Sequence, residues 1–192
     1  MPVDPSAVKT WANLVTVARV LIAPLMLVLI PDAPGGSWGA FALWFVLCSS
    51  DGVDGYLARR HGATNLGAFL DPLADKILVL GAMAILVAND TFWIVPVAIT
   101  VGRELLISLY RTFVGAKGVS VPASKIAKWK TFTQQLSVGF AIAPLTADAK
   151  WLWDGLLWIS VALALISGGQ YVYRAMKSEP LPATAPDVDM TL

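Results

Sequence analysis

Four aspartates lie in or beside apolar stretches of the chain, where a charge is costly: Asp51, Asp54, Asp71 and Asp75. A carboxylate inserted into hydrocarbon costs at least ~2.5–3.5 kcal/mol, so these groups are expected to face a partner or a water-filled cavity. The spacing of three residues in the first pair and four in the second places each pair on one face of a helix. Because a short polar segment separates the pairs, the two helices are expected to be antiparallel neighbours, and the four carboxylates converge.

Converging carboxylates repel one another, and without compensation some of them take up protons. Divalent cations supply that compensation, and an oxygen-only ligand set favours Mg²⁺ or Mn²⁺ over zinc. The chain has a single cysteine and a single histidine, which excludes a cysteine-based zinc site. We therefore predict that all four aspartates bind metal, with two ions as the expected number.

The alternative interpretation is that some of these aspartates cap helices. Asp71 precedes Pro72, and Asp-Pro is a favourable helix start. Capping would explain Asp71 and could extend to Asp51. It would not explain Asp54 and Asp75, which lie a turn further along the chain.

The elements that hold these charges are predicted to be membrane-spanning helices. Of the 192 residues, 57% are hydrophobic and 14% are charged, against about 45–50% and about 25% in soluble domains. A spanning helix needs about 20 mostly apolar residues, and six windows qualify: 13–30, 39–58, 71–88, 92–113, 130–146 and 152–173. We predict an all-α, polytopic membrane domain over residues 1–177, followed by a disordered tail over 178–192.

The distribution of basic residues sets the predicted orientation. Arg59 and Arg60, the basic stretch 115–130 and the C-terminal flank lie on one side, whereas Lys150 lies on the other. Under the positive-inside rule both termini and the aspartate cluster are cytoplasmic, which predicts a multi-pass protein of the inner (plasma) membrane. A net charge of +1 gives no reason to expect nucleic acid as a partner.

Segment 51–76 carries a family resemblance. It reads DGVDGYLARRHGATNLGAFLDPLADK and resembles the signature of the CDP-alcohol phosphatidyltransferases: D-x2-D-G-x2-A-R, a short loop, then G-x3-D-x3-D. Eight fixed positions match: Asp51, Asp54, Gly55, Ala58, Arg59, Gly67, Asp71 and Asp75. The loop between Arg59 and Gly67 is seven residues long, one fewer than is usual in the family.

Asn13-x2-Thr16-x2-Arg19 resembles the pattern of the first span in the family. Two further segments resemble the branch of the family that uses glycerol 3-phosphate: Gly102-Arg103-Glu104 and the stretch from Ser124 to Gln134. The resemblance implies transfer of a phosphatidyl group from CDP-diacylglycerol to glycerol 3-phosphate, with release of CMP. It also implies a homodimer among membrane lipids.

The resemblance further implies roles for individual residues. The first three aspartates bind metal, and Asp75 both binds metal and acts as the general base. Small residues beside the carboxylates let a diphosphate approach the backbone, and Arg59 suits a diphosphate. The predicted CDP-diacylglycerol contacts are Asn13, Thr16, Gly55, Ala58, Arg59, Thr64 and Gly67.

The acceptor phosphate needs fixed cations on the cytoplasmic side. The candidates are Arg103, Arg111, Lys125, Lys128 and Lys130. Arg103 lies deep in an apolar span, and its neighbour Glu104 is expected to point about 100° away around the helix. The acceptor phosphate is therefore the expected partner of Arg103. For the three lysines the alternative interpretation is that they set the orientation of the helices in the membrane and contact anionic lipid headgroups.

Two other functions stay open. One keeps the donor chemistry but changes the acceptor, to phosphatidylglycerol in a cardiolipin synthase or to inositol phosphate. The other is a divalent-cation transporter that uses the carboxylates as ion ligands. Against the transporter stand the position of the carboxylates at one end of the helices and the adjacent Arg59, which would repel a permeating cation.

Overall fold

The computed structural model describes the backbone of residues 11–32, 35–61, 65–116 and 125–177, and the side chains of residues 14, 16–32, 35–50, 73–114 and 125–177. In these ranges all regular structure is helical, as predicted. The helices are α1 (Trp11–Val28), α2 (Trp38–His61), α3 (Asn65–Ala88), α4 (Ile94–Ala116), α5 (Lys125–Ile142) and α6 (Lys150–Lys177), with a short 3-10 helix at Pro144–Thr146.

The helix boundaries bear on the aspartates. Helix α3 begins at Asn65, six residues before Asp71, and α2 continues through Asp51 and Asp54 to His61. None of these aspartates therefore stands at the start of its helix, and the capping interpretation is wrong. Asp51 lies ten residues before the end of α2, and Asp75 lies ten residues after the start of α3, on either side of a three-residue connection.

The apolar core joins all six described α-helices, with Val97 as the contribution of α4. Met26, Trp44, Met83, Ile142 and Leu157 are each at most 3% exposed and belong to one cluster. Helix α5 contacts α2, α3 and α6, while α4 contacts α3 and α6. In this arrangement α3, α4, α5 and α6 surround a common space.

At the opposite end, short connections hold the bundle together. Gly36 has a φ of 69°, and a Cβ there would lie 2.7 Å from backbone atoms of Ala143. The next residue, Ser37, donates its backbone N–H to Ile142 O at 3.0 Å. Only glycine allows this close approach, so the loop before α2 is fixed against the end of α5.

Helix α6 is long and apolar enough to cross a membrane, and among the described residues it is the one helix that meets both criteria. Shorter apolar stretches occur at Thr16–Val28 and Trp38–Ser50.

Candidate active site

A cavity of about 530 Å³ lies between α3, α4, α5 and α6. Two carboxylates line it, Asp75 and Glu104. The cationic side chains in its wall outnumber them: Lys76, Arg103, Arg111, Lys128, Lys130 and Arg174. This excess of positive charge in a concave, partly buried site favours an anionic ligand.

Asp75 is held by a buried arginine from α1. Arg19 is 1% exposed, and its Nη1 lies 3.8 Å from Asp75 Oδ1. Its Nε donates to Ser50 Oγ at 3.2 Å. Because Ser50 directly precedes Asp51 in α2, one guanidinium brings the aspartate-bearing part of α2 and Asp75 of α3 together. The sequence marked Arg19 as a charge in an apolar window without indicating this partner.

The residue after Asp75 ties α3 to α4. Lys76 Nζ donates to Ser108 Oγ at 2.6 Å. The sequence analysis did not include Lys76 in the site. A charge in an apolar window next to a predicted catalytic aspartate was the available signal.

Arg103 has three protein partners. Its Nε donates to Ala164 O at 2.9 Å, its Nη2 to Ser167 Oγ at 2.9 Å, and its Nη1 to Glu104 Oε1 at 2.8 Å. The expectation that Glu104 points away from Arg103 is therefore wrong. Consecutive Cβ atoms do diverge by about 100° on a helix, but both side chains are long enough to meet beside the helix. Two of the five guanidinium N–H groups have no part in these bonds.

Glu104 also accepts a hydrogen bond from Lys130 Nζ, across from α4 to α5. All three side chains are largely buried, with exposed fractions of 12% for Arg103, 14% for Glu104 and 7% for Lys130. Two of the five cations predicted for the acceptor phosphate thus share one carboxylate, and the trio carries a net positive charge.

The other three predicted acceptor cations differ in position. Arg111 and Lys128 are exposed and line the cavity. The guanidinium of Arg111 lies 5.9 Å from the centre of the Tyr171 ring, a cation–π contact with α6. Lys125, the first residue of α5, is exposed and does not line the cavity.

Most of the predicted metal and CDP contacts fall outside the described side chains. The backbone places Asn13 in α1, and it places Asp51, Asp54, Gly55, Ala58 and Arg59 in α2 and Gly67 and Asp71 in α3, whereas Thr64 lies outside the described residues. Thr16 is described. It is 1% exposed, lies three residues before Arg19 and does not line the cavity. Among the described side chains, no three potential ligands of the His, Cys, Asp and Glu types cluster.

The cavity also contains residues that the sequence analysis did not assign to the site. Arg174 and Gln170 come from α6, and Ser108 comes from α4. Gln134, on α5, is 3% exposed. No charge marks the neutral residues, and helix packing alone shows that they face the cavity.

A helical bundle with a cationic cavity beside an aspartate suits anionic ligands such as phosphate esters. The comparison with known sequences names the family: the chain belongs to the CDP-alcohol phosphatidyltransferases, whose family model matches residues 9–166. The chain is therefore an enzyme, a transferase of phospholipid biosynthesis, and the resemblance of its signature is confirmed.

Individual relatives match over most of their length. A CDP-diacylglycerol–glycerol-3-phosphate 3-phosphatidyltransferase from Rickettsia typhi is 34% identical over 180 residues, covering 88% of this chain and 98% of the relative. Enzymes of the same name from Pseudomonas fluorescens and Cereibacter sphaeroides are 35% and 30% identical. Each alignment covers 85% of this chain. It covers 88% of the Pseudomonas fluorescens enzyme and 94% of the Cereibacter sphaeroides enzyme.

Proposed function

We propose that this enzyme transfers the phosphatidyl group of CDP-diacylglycerol to sn-glycerol 3-phosphate, forming phosphatidylglycerophosphate and CMP. The observation that carries the proposal is the cavity in which Asp75 shares a wall with six cationic side chains. Such a cavity suits an acceptor with a reactive hydroxyl at one end and a phosphate at the other. The names of the relatives support both substrates.

Asp75 is proposed as the general base. Its side chain is 32% exposed and lines the cavity, so an acceptor hydroxyl can reach it. The primary hydroxyl oxygen of glycerol 3-phosphate attacks the phosphorus that carries diacylglycerol, and its proton passes to Asp75. A new O–P bond forms, the P–O bond to CMP breaks, and CMP leaves with the electron pair. Arg19 orients the carboxylate from the side of α1.

The acceptor phosphate is proposed to bind the cations of the cavity. Arg111 and Lys128 are exposed and line the cavity. Arg103 can donate the two guanidinium N–H groups that do not take part in its bonds to Ala164, Ser167 and Glu104. Lys130 contributes its positive charge without direct contact, because its ammonium group is already paired with Glu104. Lys125 does not line the cavity and suits the anionic headgroups of the membrane surface instead.

The proposed metal site consists of Asp51, Asp54, Asp71 and Asp75, with Mg²⁺ or Mn²⁺ and two ions. Two observations support the fit: these aspartates do not begin their helices, and Arg19 links Asp75 to the residue before Asp51. When bound, the ions neutralise the diphosphate and the charge developing on CMP. The CDP group is proposed to lie along the same face, near Asn13, Thr16, Gly55, Ala58, Arg59, Thr64 and Gly67.

The six helices are proposed to span the inner (plasma) membrane with both termini cytoplasmic. Large apolar side chains are exposed along α1, α4 and α6, including Leu21 at 72%, Leu109 at 70% and Leu165 at 55%. Such extensive apolar exposure suits lipid. Exposed tryptophans mark both ends of the bundle: Trp38, Trp93 and Trp151 at the starts of α2, α4 and α6, and Trp129 at the start of α5. The domain over 1–177, the disordered tail over 178–192 and the homodimer stay predictions.

An acceptor panel tests the proposal. The purified enzyme in detergent receives labelled CDP-diacylglycerol, Mg²⁺, and glycerol 3-phosphate, inositol phosphate or phosphatidylglycerol. We expect CMP and phosphatidylglycerophosphate in equal amounts with glycerol 3-phosphate, and no transfer without an acceptor. Transfer to another acceptor instead would assign the chain to a different branch. Divalent-cation flux in liposomes without CMP release would favour the transporter.

A further inference from the structure

Gln134 is a buried residue in the wall of the cavity, and its amide donor is unused within the part of the chain that the structure describes. The residue is 3% exposed and lines the cavity, and its Nε2 has no hydrogen-bond partner among the described residues. Burying a polar group without a partner costs free energy, and the large majority of buried polar side chains are satisfied. On a residue that lines a cavity, an amide donor without a partner among the described residues therefore indicates a ligand that supplies the missing hydrogen bond.

The helix that carries Gln134 is held on two other sides. Trp44 Nε1 of α2 donates to the backbone oxygen of Gln135 at 3.1 Å. Ser137 Oγ donates to the backbone oxygen of Trp153, in α6, at 2.8 Å. These bonds flank Gln134 along α5 and limit rotation of the helix. The backbone that carries Gln134 is thus held in place beside the cavity.

The position of Gln134 relative to Lys130 indicates which part of the acceptor it meets. The two residues lie one turn apart on α5, about 6 Å along the axis, and both line the cavity. In an extended glycerol 3-phosphate the terminal hydroxyl oxygen lies about that far from the phosphorus, and the C2 hydroxyl lies between them. With the phosphate at Lys130 and the neighbouring cations, the carbon chain of the acceptor can therefore reach Gln134.

The chemistry of the acceptor leaves one group for this amide. This inference rests on the function proposed above. There the acceptor phosphate binds the cations of the cavity, and the primary hydroxyl binds Asp75. The secondary hydroxyl on C2 is then without a partner. A hydroxyl both donates and accepts hydrogen bonds, as does a glutamine amide, so the two groups are complementary.

We propose that Gln134 binds the C2 hydroxyl of a glycerol phosphate acceptor and makes the enzyme select this acceptor over alkyl phosphates that lack a hydroxyl at that carbon. A site built to hydrogen-bond a substrate hydroxyl rejects the analogue without it, because the buried polar group of the protein is then left unpaired.

The test compares two acceptors that differ only at C2, glycerol 3-phosphate and 3-hydroxypropyl phosphate. The ratio of their kcat/KM values is measured for wild type, for Gln134→Met and for the control Thr133→Val. Methionine has a similar size without the amide. Thr133 precedes Gln134 on α5, does not line the cavity, and bonds only to backbone oxygens of its own helix.

We expect wild type and Thr133→Val to prefer glycerol 3-phosphate by about tenfold or more, and Gln134→Met to prefer it by less than about twofold. The smaller preference should result from a lower kcat/KM for glycerol 3-phosphate, while the KM for CDP-diacylglycerol stays the same. Because Gln134 Nε2 has no hydrogen-bond partner among the described residues, the Tm of Gln134→Met should equal or exceed that of wild type.

Three results would overturn the inference alone: equal use of both acceptors by wild type, an unchanged preference in Gln134→Met, or a Gln134→Met protein that unfolds or loses both activities equally. The first needs no variant, so the inference stays falsifiable even if the variant folds poorly. If wild type transfers to neither acceptor, the proposed function fails and this inference fails with it.

Discussion

Glu104 forms ion pairs with two buried cations from different helices, so its removal should destabilise the bundle. It accepts from Arg103 on α4, at 2.8 Å, and from Lys130 on α5. The perturbation is Glu104→Gln, which keeps the size of the side chain and one oxygen acceptor while it removes the negative charge. Arg103 keeps its bonds to Ala164 O and Ser167 Oγ.

The magnitude follows from burial. Removing one member of a buried ion pair costs about 3–5 kcal/mol, because the remaining charge has lost its compensation. Lys130 is 7% exposed, and Glu104 supplies its one ion pair within the described part of the chain. For a chain of this size, 1 kcal/mol corresponds to about 2–4 °C in Tm. We therefore expect Glu104→Gln to lower the Tm by about 6–20 °C.

The assay is thermal unfolding in detergent, followed by tryptophan fluorescence, with two comparison variants. Asp154→Asn breaks the more exposed pair of Lys150 and Asp154, whose atoms are 3.0 Å apart, and exposed pairs contribute about 0–1 kcal/mol. The double variant Glu104→Gln/Lys130→Met removes the orphaned ammonium and should regain part of the lost Tm. A Glu104→Gln protein no less stable than Asp154→Asn, or strictly additive costs in the double variant, would refute the reasoning.

Chelation with EDTA is expected to abolish transfer, and addition of Mg²⁺ or Mn²⁺ is expected to restore it, because aspartates offer only oxygen ligands. Full turnover in thoroughly chelated enzyme would contradict the metal site. Asp75→Asn is expected to lower kcat by about 10²–10⁴-fold through loss of the base, while CDP-diacylglycerol still binds; a near-normal kcat at saturating metal would mean that the base lies elsewhere. Arg103→Lys is expected to lower the Tm, because lysine cannot reach all three of its partners, and to raise the KM for glycerol 3-phosphate more than that for CDP-diacylglycerol. Equal effects on both KM values would restrict Arg103 to a structural role.

The chain's apolar windows and its family signature are local properties of the sequence. Each of the six predicted windows overlaps one of the six described helices, because a run of apolar side chains with helical propensity is readable without knowing its neighbours. The boundaries were less predictable: α3 starts at Asn65 rather than at 71, because Gly67, Asp71 and Pro72 interrupt an otherwise apolar stretch. The cationic character of the site was also visible, since charges in apolar windows are rare and functional.

Tertiary structure alone decided which charges meet. Arg19 contacts residues 31 and 56 positions further along the chain, and Lys130 meets Glu104 across 26 positions. These pairings depend on the rotation and spacing of packed helices, which many weak contacts set together. Helical periodicity alone also led to the wrong expectation for Arg103 and Glu104, because it describes where side chains leave the helix and not where flexible side chains end. Gln134 shows the same limit, since a neutral amide signals a binding role only once packing has buried it beside a cavity.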